Sequence, residues 1–244
     1  MGSLWPRDNG ALMPNYQIEH HKIIESALSN FNADFFSQNG IFFGGGTRIA
    51  LEIDEFRESV DIDFLCPTRA SYRAVREQVT NISLGNLVHV EFVYTREIRA
   101  DRDAVRTIIE INKTMIKLEF VSFNEYKLTS ETQGIFPVPS LSRESCFVTK
   151  LLANADRALK YPFKDIFDLL AMCKVWGGIP QSALTISQDF YGDVVQRELI
   201  QALEHIVGDP TVHRKAAKDM LMKTEWATAL IDIEAPQLLQ TLKK

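Results

Sequence analysis

The sequence predicts an α+β fold, with a mixed β-sheet flanked by helices over residues 1–135 and a helical region over 136–244. Three observations carry this. Between Ile41 and Ser122 short apolar runs alternate with polar residues, the period of half-buried strands. Past residue 140 apolar residues recur at helical spacing to the end. Between the two, "ETQGIFPVPS" at 131–140 carries a glycine and two prolines, residues that punctuate a chain.

From Gln17 to Phe36, residues Ile24, Leu28, Phe31 and Phe35 recur at helical spacing until Asn39-Gly40 breaks the pattern. Ile41-Phe42-Phe43 reads as a buried strand, Gly44-Gly45-Gly46 as the turn after it, and Thr47 as the cap of a helix through Ile53. "VDIDFL", from Val60, is a strand whose alternation puts Asp61 and Asp63 on one face and Ile62 and Phe64 on the other. "LVHVEFVY", from Leu87, predicts another strand, and "AVRTIIEI" and "TMIKLEFVS" are hairpin arms around Asn112-Lys113. In the second arm Ile116, Leu118 and Phe120 share one face, Lys117 and Glu119 the other. "ESCFVTKLLANADRALK" and "KDIFDLLAMCKVW" are amphipathic helices, followed by helices near 194–207 and 210–223, parted at Asp209-Pro210.

A formal charge of -5 argues against a protein that coats nucleic acid through a general positive field. Cys66, Cys146 and Cys173 lack the spacing of a zinc site or disulfide framework, which fits a reducing cytoplasm. The start "MGSLWPRDNG" lacks the apolar core of a signal peptide, and no apolar run is long enough to predict a membrane span.

A nucleoside triphosphate site needs N–H groups around the phosphates and carboxylates that hold divalent cations. Gly44 to Thr47 supply the first and Asp61 with Asp63 the second. Glycine lets the backbone approach a phosphate, and the following helix offers unsatisfied N–H groups and the positive end of its dipole. Aspartates at i and i+2 on a strand lie ~7 Å apart on one face. A third carboxylate on a neighbouring strand would complete a two-metal site for phosphoryl displacement. Glu119 is the preferred third acid, and Glu91 in "VHVEF" is its competitor.

The "GGT" turn, the "SVDIDF" strand, Lys150 and "KDIFDL" together resemble the AbiEii/AbiGii toxin family of nucleotidyltransferases, over roughly residues 40–175. That family is placed in the polymerase-beta-like nucleotidyltransferase superfamily. The resemblance implies a mixed-sheet catalytic domain, a helical C-terminal region, Mg2+ and transfer of a nucleotide from a triphosphate. It also implies an acceptor that resembles a tRNA 3′ end in some members, and a cognate antitoxin; the functional reading that follows is transfer onto an RNA or protein acceptor. By the same resemblance Gly45, Gly46 and Thr47 hold the triphosphate, and Asp61 and Asp63 bind the metals. Glu119 contacts the catalytic metal and helps deprotonate the acceptor hydroxyl. Lys150 meets the phosphates, and Asp165 and Asp168 match a second acidic motif; Arg57 and Ser59 precede the metal pair as in many members. The chain departs from the pattern at Arg48, where a small residue is usual, and at 119, where glutamate replaces aspartate.

Each feature has a plainer reading. The glycine turn alone matches neither a Walker loop nor a dinucleotide fingerprint. Asp61 and Asp63 could face solvent, but two acids in an apolar run repel one another unless a cation sits between them. Lys150 could be a solvated helix residue, and Asp165 and Asp168 could charge a helix N-terminus. The basic group Arg143, Lys150, Arg157, Lys160 and Lys164 reads equally as a solvated face or as an RNA contact. Besides a nucleotidyltransferase, the sequence is compatible with a nucleotide-sensing scaffold without turnover and with a phosphotransferase using the same site.

Overall fold

A computed structural model describes residues 16–123, 125–131 and 134–243, so the start of the chain lies outside the described residues. The chain divides into two compact units. Of the described residues, the first holds those up to Arg48 together with those of Val60–Ser142, and the second holds Ile49–Ser59 together with those from Arg143 onward. The sequence placed its boundary at 135/136. The compact units divide at 142/143, and the segment 49–59 groups with the helical residues.

The first unit is built on a mixed sheet. Its strands are β1 (Phe42–Gly44), β2 (Ile62–Cys66), β3 (Val93–Tyr94), β4 (Arg99–Ala100), β5 (Ala104–Ile111) and β6 (Thr114–Ser122), in the order β1-β2-β6-β5-β3, with β4 also on β5. Among the described strands β2 and β6 pair in parallel, and the β1–β2, β3–β5, β4–β5 and β5–β6 pairings are antiparallel. The unit's helices are α1 (Glu19–Leu28), α2 (Ala33–Asn39), the start of α3 (Gly45–Glu52) and α4 (Arg69–Gln78). Alternation sets the faces: Ile62, Phe64, Ile116, Leu118 and Phe120 are buried on one side. There Phe64 stacks on Phe120 at 5.1 Å between centroids and meets Phe36 at 4.7 Å and Phe31 at 4.8 Å edge-on. Asp63, Lys117 and Glu119 consequently take the other face.

Three local expectations change. The single helix over 17–36 is two helices, because the Asn32 side chain accepts from Phe35 N–H and caps α2, and Asn30 ties down Val90 through both amide and carbonyl. The strand expected over 87–94 shrinks to Val93–Tyr94: Leu87 closes a 3-10 turn from Gly85, Val88 makes an isolated antiparallel bridge to Phe31, and the chain bends before Val93. Thr47 does not cap α3; the helix already begins at Gly45.

The second unit holds α5 (Arg143–Arg157), α6 (Lys164–Trp176), α7 (Gln181–Tyr191), α8 (Val194–Gly208), α9 (Pro210–Asp219), α10 (Thr224–Ala229) and α11 (Ala235–Leu242). From Ile166 to Met172 every residue of α6 is buried, the mark of a helix surrounded by others. Segment 49–59 packs into this unit: Phe56 lies 5.5 Å from Trp226, Glu58 N–H donates to Met220 O, and Lys223 N–H donates to Phe56 O. Among the described residues no helix is long and apolar enough to cross a membrane.

Phe64 packs on Phe36 of α2, on Phe31 in the connection between α1 and α2, and on Phe120 of β6, so Phe64→Ala is expected to destabilise the first unit by about 3–5 kcal/mol. The shift in urea midpoint followed by far-UV circular dichroism measures it.

Candidate active site

The site is assembled where β1, α3 and β2 meet. In the antiparallel β1–β2 pair Gly44 lies opposite Asp63. Gly45 follows with φ +70, a conformation that disfavours a side chain, and a Cβ there would run into the Asp63 carboxylate. Glycine at 45 is therefore required twice, by the backbone and by the acid. Gly45 also opens α3, whose first N–H groups have no intrahelical acceptor. Thr47 is buried in the first turn, and its hydroxyl donates to Asp61 O at 2.5 Å. That bond ties the glycine turn to the residue preceding β2. Arg48 is fully buried, its Nε donating to Leu141 O at 2.9 Å and its guanidinium 5.8 Å from the Phe136 ring.

Asp61 and Asp63 are half-buried at the start of β2. In the parallel pair with β6, Asp63 lies opposite Glu119 and Ile62 opposite Leu118. Three of the expected site acids thus share one sheet face. Glu119 is also held by cations: Arg106 Nε donates to Oε1 at 2.7 Å and Lys117 Nζ pairs with Oε2. Sequence reasoning missed both cations, although Lys117 and Glu119 stand at i and i+2 and Arg106 on the opposing arm.

Glu91 is placed differently. It precedes β3, and its carboxylate accepts from Ser83 Oγ, Tyr94 OH and the Gly85 and Leu84 N–H groups. Burial pushes its pKa up, but these hydrogen bonds outweigh burial and hold it below the usual carboxylate value. Its oxygens are taken by a loop away from the strand register that joins Asp63 to Glu119.

The remaining expected residues belong to the helical unit. Asp168 accepts a fork from Arg57, Nε to Oδ1 at 2.8 Å and Nη2 to Oδ2 at 3.0 Å. Lys150 Nζ lies 2.6 Å from Asp168 Oδ2 and 3.1 Å from Asp165 Oδ1, and Arg157 Nη2 lies 2.8 Å from Asp165 Oδ2. Ser59 is half-buried in the same unit. Burial alone would raise the Asp168 carboxyl, but Arg57 and then Lys150 outweigh it and hold it below the usual range. Burial works to lower Lys150, and Asp168 and Asp165 outweigh it and hold the ammonium above the usual lysine value.

Among the described residues no three His, Cys, Asp or Glu side chains gather into a metal cage. Magnesium does not require one, since it keeps several waters and is bound through one or two carboxylates plus substrate phosphates. The oxygen-only pair Asp61/Asp63 fits that ion.

The model of the nucleotidyl transferase AbiEii toxin of type IV toxin–antitoxin systems matches residues 26–242. The chain belongs to the AbiEii family. AbiEii proteins are nucleotidyl transferase toxins, so the coarse activity is transfer from a nucleotide substrate, and the type IV description implies an antitoxin partner. No curated protein matches the chain. Among solved structures, a candidate nucleotidyltransferase from H. pylori is 14% identical with a TM-score of 0.47, covering 95% of this chain and 98% of that chain. JHP933 from Helicobacter pylori is 15% identical with a TM-score of 0.47, covering 95% of each chain. An antigenic nucleotidyltransferase-like protein from Paracoccidioides brasiliensis is 15% identical with a TM-score of 0.43, covering 85% of this chain and 95% of that one. The AbiEii assignment rests on the family match.

The ion cluster has a signed pH dependence. Asp168, depressed in the fold, contributes stability above the unfolded carboxylate value of about 3.9 and loses it as pH falls through the lower folded value. Lys150, raised in the fold, contributes stability below the unfolded lysine value of about 10.4 and loses it as pH rises through the higher folded value. Thermal melts are expected to show the Asp168 share of stability intact at neutral pH and lost below about pH 4. Asp168→Ala, leaving Arg57 and Lys150 buried without their acid, should cost about 3–5 kcal/mol at pH 7 and flatten that acid limb. Gly45→Ala should cost at least about 1 kcal/mol from the positive φ alone, read in the same melts.

Proposed function

We propose that this AbiEii protein is a metal-dependent nucleotidyltransferase that moves a nucleotide from a nucleoside triphosphate onto an RNA or protein acceptor, opposed by a cognate antitoxin in the cytoplasm. The observation that carries the reading is the packing of Asp63 against Gly45, which brings a carboxylate pair to the N–H groups of a glycine turn. In the reaction an acceptor oxygen attacks the α-phosphorus, forming one P–O bond as the bond to pyrophosphate breaks. Gly45, Gly46 and Thr47 hold the phosphates through the first N–H groups of α3. Asp61 and Asp63 would hold Mg2+, which when bound neutralises phosphate charge and aligns the entering and leaving oxygens. The Thr47–Asp61 bond fixes the aspartates relative to the turn, so orientation and charge placement supply most of the rate.

The test is incubation with each α-phosphate-labelled nucleoside triphosphate, Mg2+ and total cellular RNA and protein. Label on RNA or protein from the unaltered chain, and none from Asp61→Ala or Asp63→Ala variants that melt normally, is the expected result. Unchanged labelling by either variant would sink the assignment of these aspartates. Transfer of γ-phosphate label instead would replace nucleotidyl transfer with phosphotransfer.

A further inference from the structure

The sheet face that carries the aspartates also carries a cation–carboxylate–cation group. Glu119 is mostly covered, at 15% side-chain exposure, while Lys117 and Arg106 stand out at 49% and 43%. Both Glu119 oxygens are engaged, one by Arg106 and one by Lys117. A divalent ion bound to that carboxylate would displace one cation or sit beside two, and like charges at contact distance repel. Arg106 is matched a second time by Asp101, whose Oδ2 lies 2.7 Å from Nη1. Lys117 differs: an ammonium has three N–H groups, and Glu119 engages one.

Register places Lys117 where a phosphate cation is needed. Ile62 pairs with Leu118, and one residue back on each strand stand Asp61 and Lys117. Adjacent strands lie about 4.8 Å apart, so an ion held by Asp61 and Asp63 would present its phosphate ligands within reach of a lysine on β6. The cation that the family resemblance assigns to this task, Lys150, is only 10% exposed and lies between Asp165 and Asp168.

We propose that Lys117 is a further phosphate-contacting residue of this site and that Glu119 is its positioning partner, not a metal ligand. This rests on the nucleotidyl-transfer reading. Glu119 holds the ammonium on the open face beside the aspartates, and the remaining N–H groups of Lys117 neutralise triphosphate oxygens that a metal at the aspartate pair leaves uncovered.

The experiment measures equilibrium binding of each of the four ribonucleoside triphosphates to the full chain as Mg2+ is titrated, for the unaltered protein and for Lys117→Ala, Lys117→Arg, Glu119→Gln and Asp61→Ala. Loss of one charge-assisted contact predicts nucleotide affinity about tenfold or more weaker in Lys117→Ala at saturating Mg2+. The half-maximal Mg2+ concentration should stay unchanged, and Lys117→Arg should recover part of the affinity. Glu119→Gln should weaken nucleotide binding without raising the Mg2+ requirement, whereas Asp61→Ala should raise it. A Mg2+ requirement raised by Glu119→Gln as much as by Asp61→Ala would make Glu119 a metal ligand and overturn the proposal. Nucleotide affinity unchanged in Lys117→Ala would overturn it while leaving the nucleotidyl-transfer reading standing. Absence of triphosphate binding by the unaltered protein would remove that reading and this proposal together.

Discussion

The parallel pairing of β2 with β6 is the constraint on which the sheet site depends. It is the one parallel pairing between the described strands, and it sets Asp63 beside Glu119 and Phe64 beside Phe120 in the same stroke. A slip of one residue would exchange the faces, burying an aspartate among phenylalanines and exposing the aromatic stack. Burying that ion without a partner costs far more than the pairing of two strands contributes. The aromatic core therefore specifies the register, and the register delivers the acids. Hydrophobic packing on one face is what places charge on the other.

The second unit handles charge in the opposite way. Asp168 is fully buried and meets the Arg57 fork and the Lys150 ammonium, so its desolvation is offset by paired charge and by hydrogen bonds to both oxygens. Arg57 belongs to segment 49–59, and that segment is also held by backbone bonds to Met220 and Lys223. Asp54 and Glu55 take positive φ inside it. Such backbone persists only where the surroundings over-determine it, and here the surroundings are helical residues far along the chain. The residues connecting the glycine turn to the aspartate strand are thus stabilised by the helical unit, through chain connectivity visible in the numbering itself.

The parts of this fold legible in the sequence are those governed by local period. Alternation in "VDIDFL" and "TMIKLEFVS" was enough to assign both faces of β2 and β6, because side-chain direction on a strand depends only on parity. Nothing local identified the Gly45–Asp63 contact, which joins the first residue of α3 to a residue of β2, or the partners of Arg57 and Lys150, which come from distant positions. Asn32 was legible as a cap only after the helix was known to break; the recurrence of Phe31 and Phe35 at helical spacing masked it. The strand read over "LVHVEFVY" failed for a related reason. Its alternation is genuine, but hydrogen bonds from Ser83, Tyr94 and two backbone N–H groups to Glu91 favour a turn over an extended ladder.

Arg48, the departure from the family pattern beside the glycine turn, is a packing residue of the first unit. In sequence alone, Arg48 stands out as a bulky cation where the family pattern has a small residue. In the fold its Nε is spent on the Leu141 carbonyl and its guanidinium approaches the Phe136 ring, so it closes the stretch 136–141 against the start of α3. That stretch also bonds along β1, with Phe43 N–H donating to Pro139 O and Leu141 N–H to Phe43 O. β1 is thereby paired on both edges, by β2 and by the chain leading out of the first unit. The arginine thus holds Leu141, which in turn bonds to Phe43 of the strand that leads into the glycine turn. Its size is explained by packing.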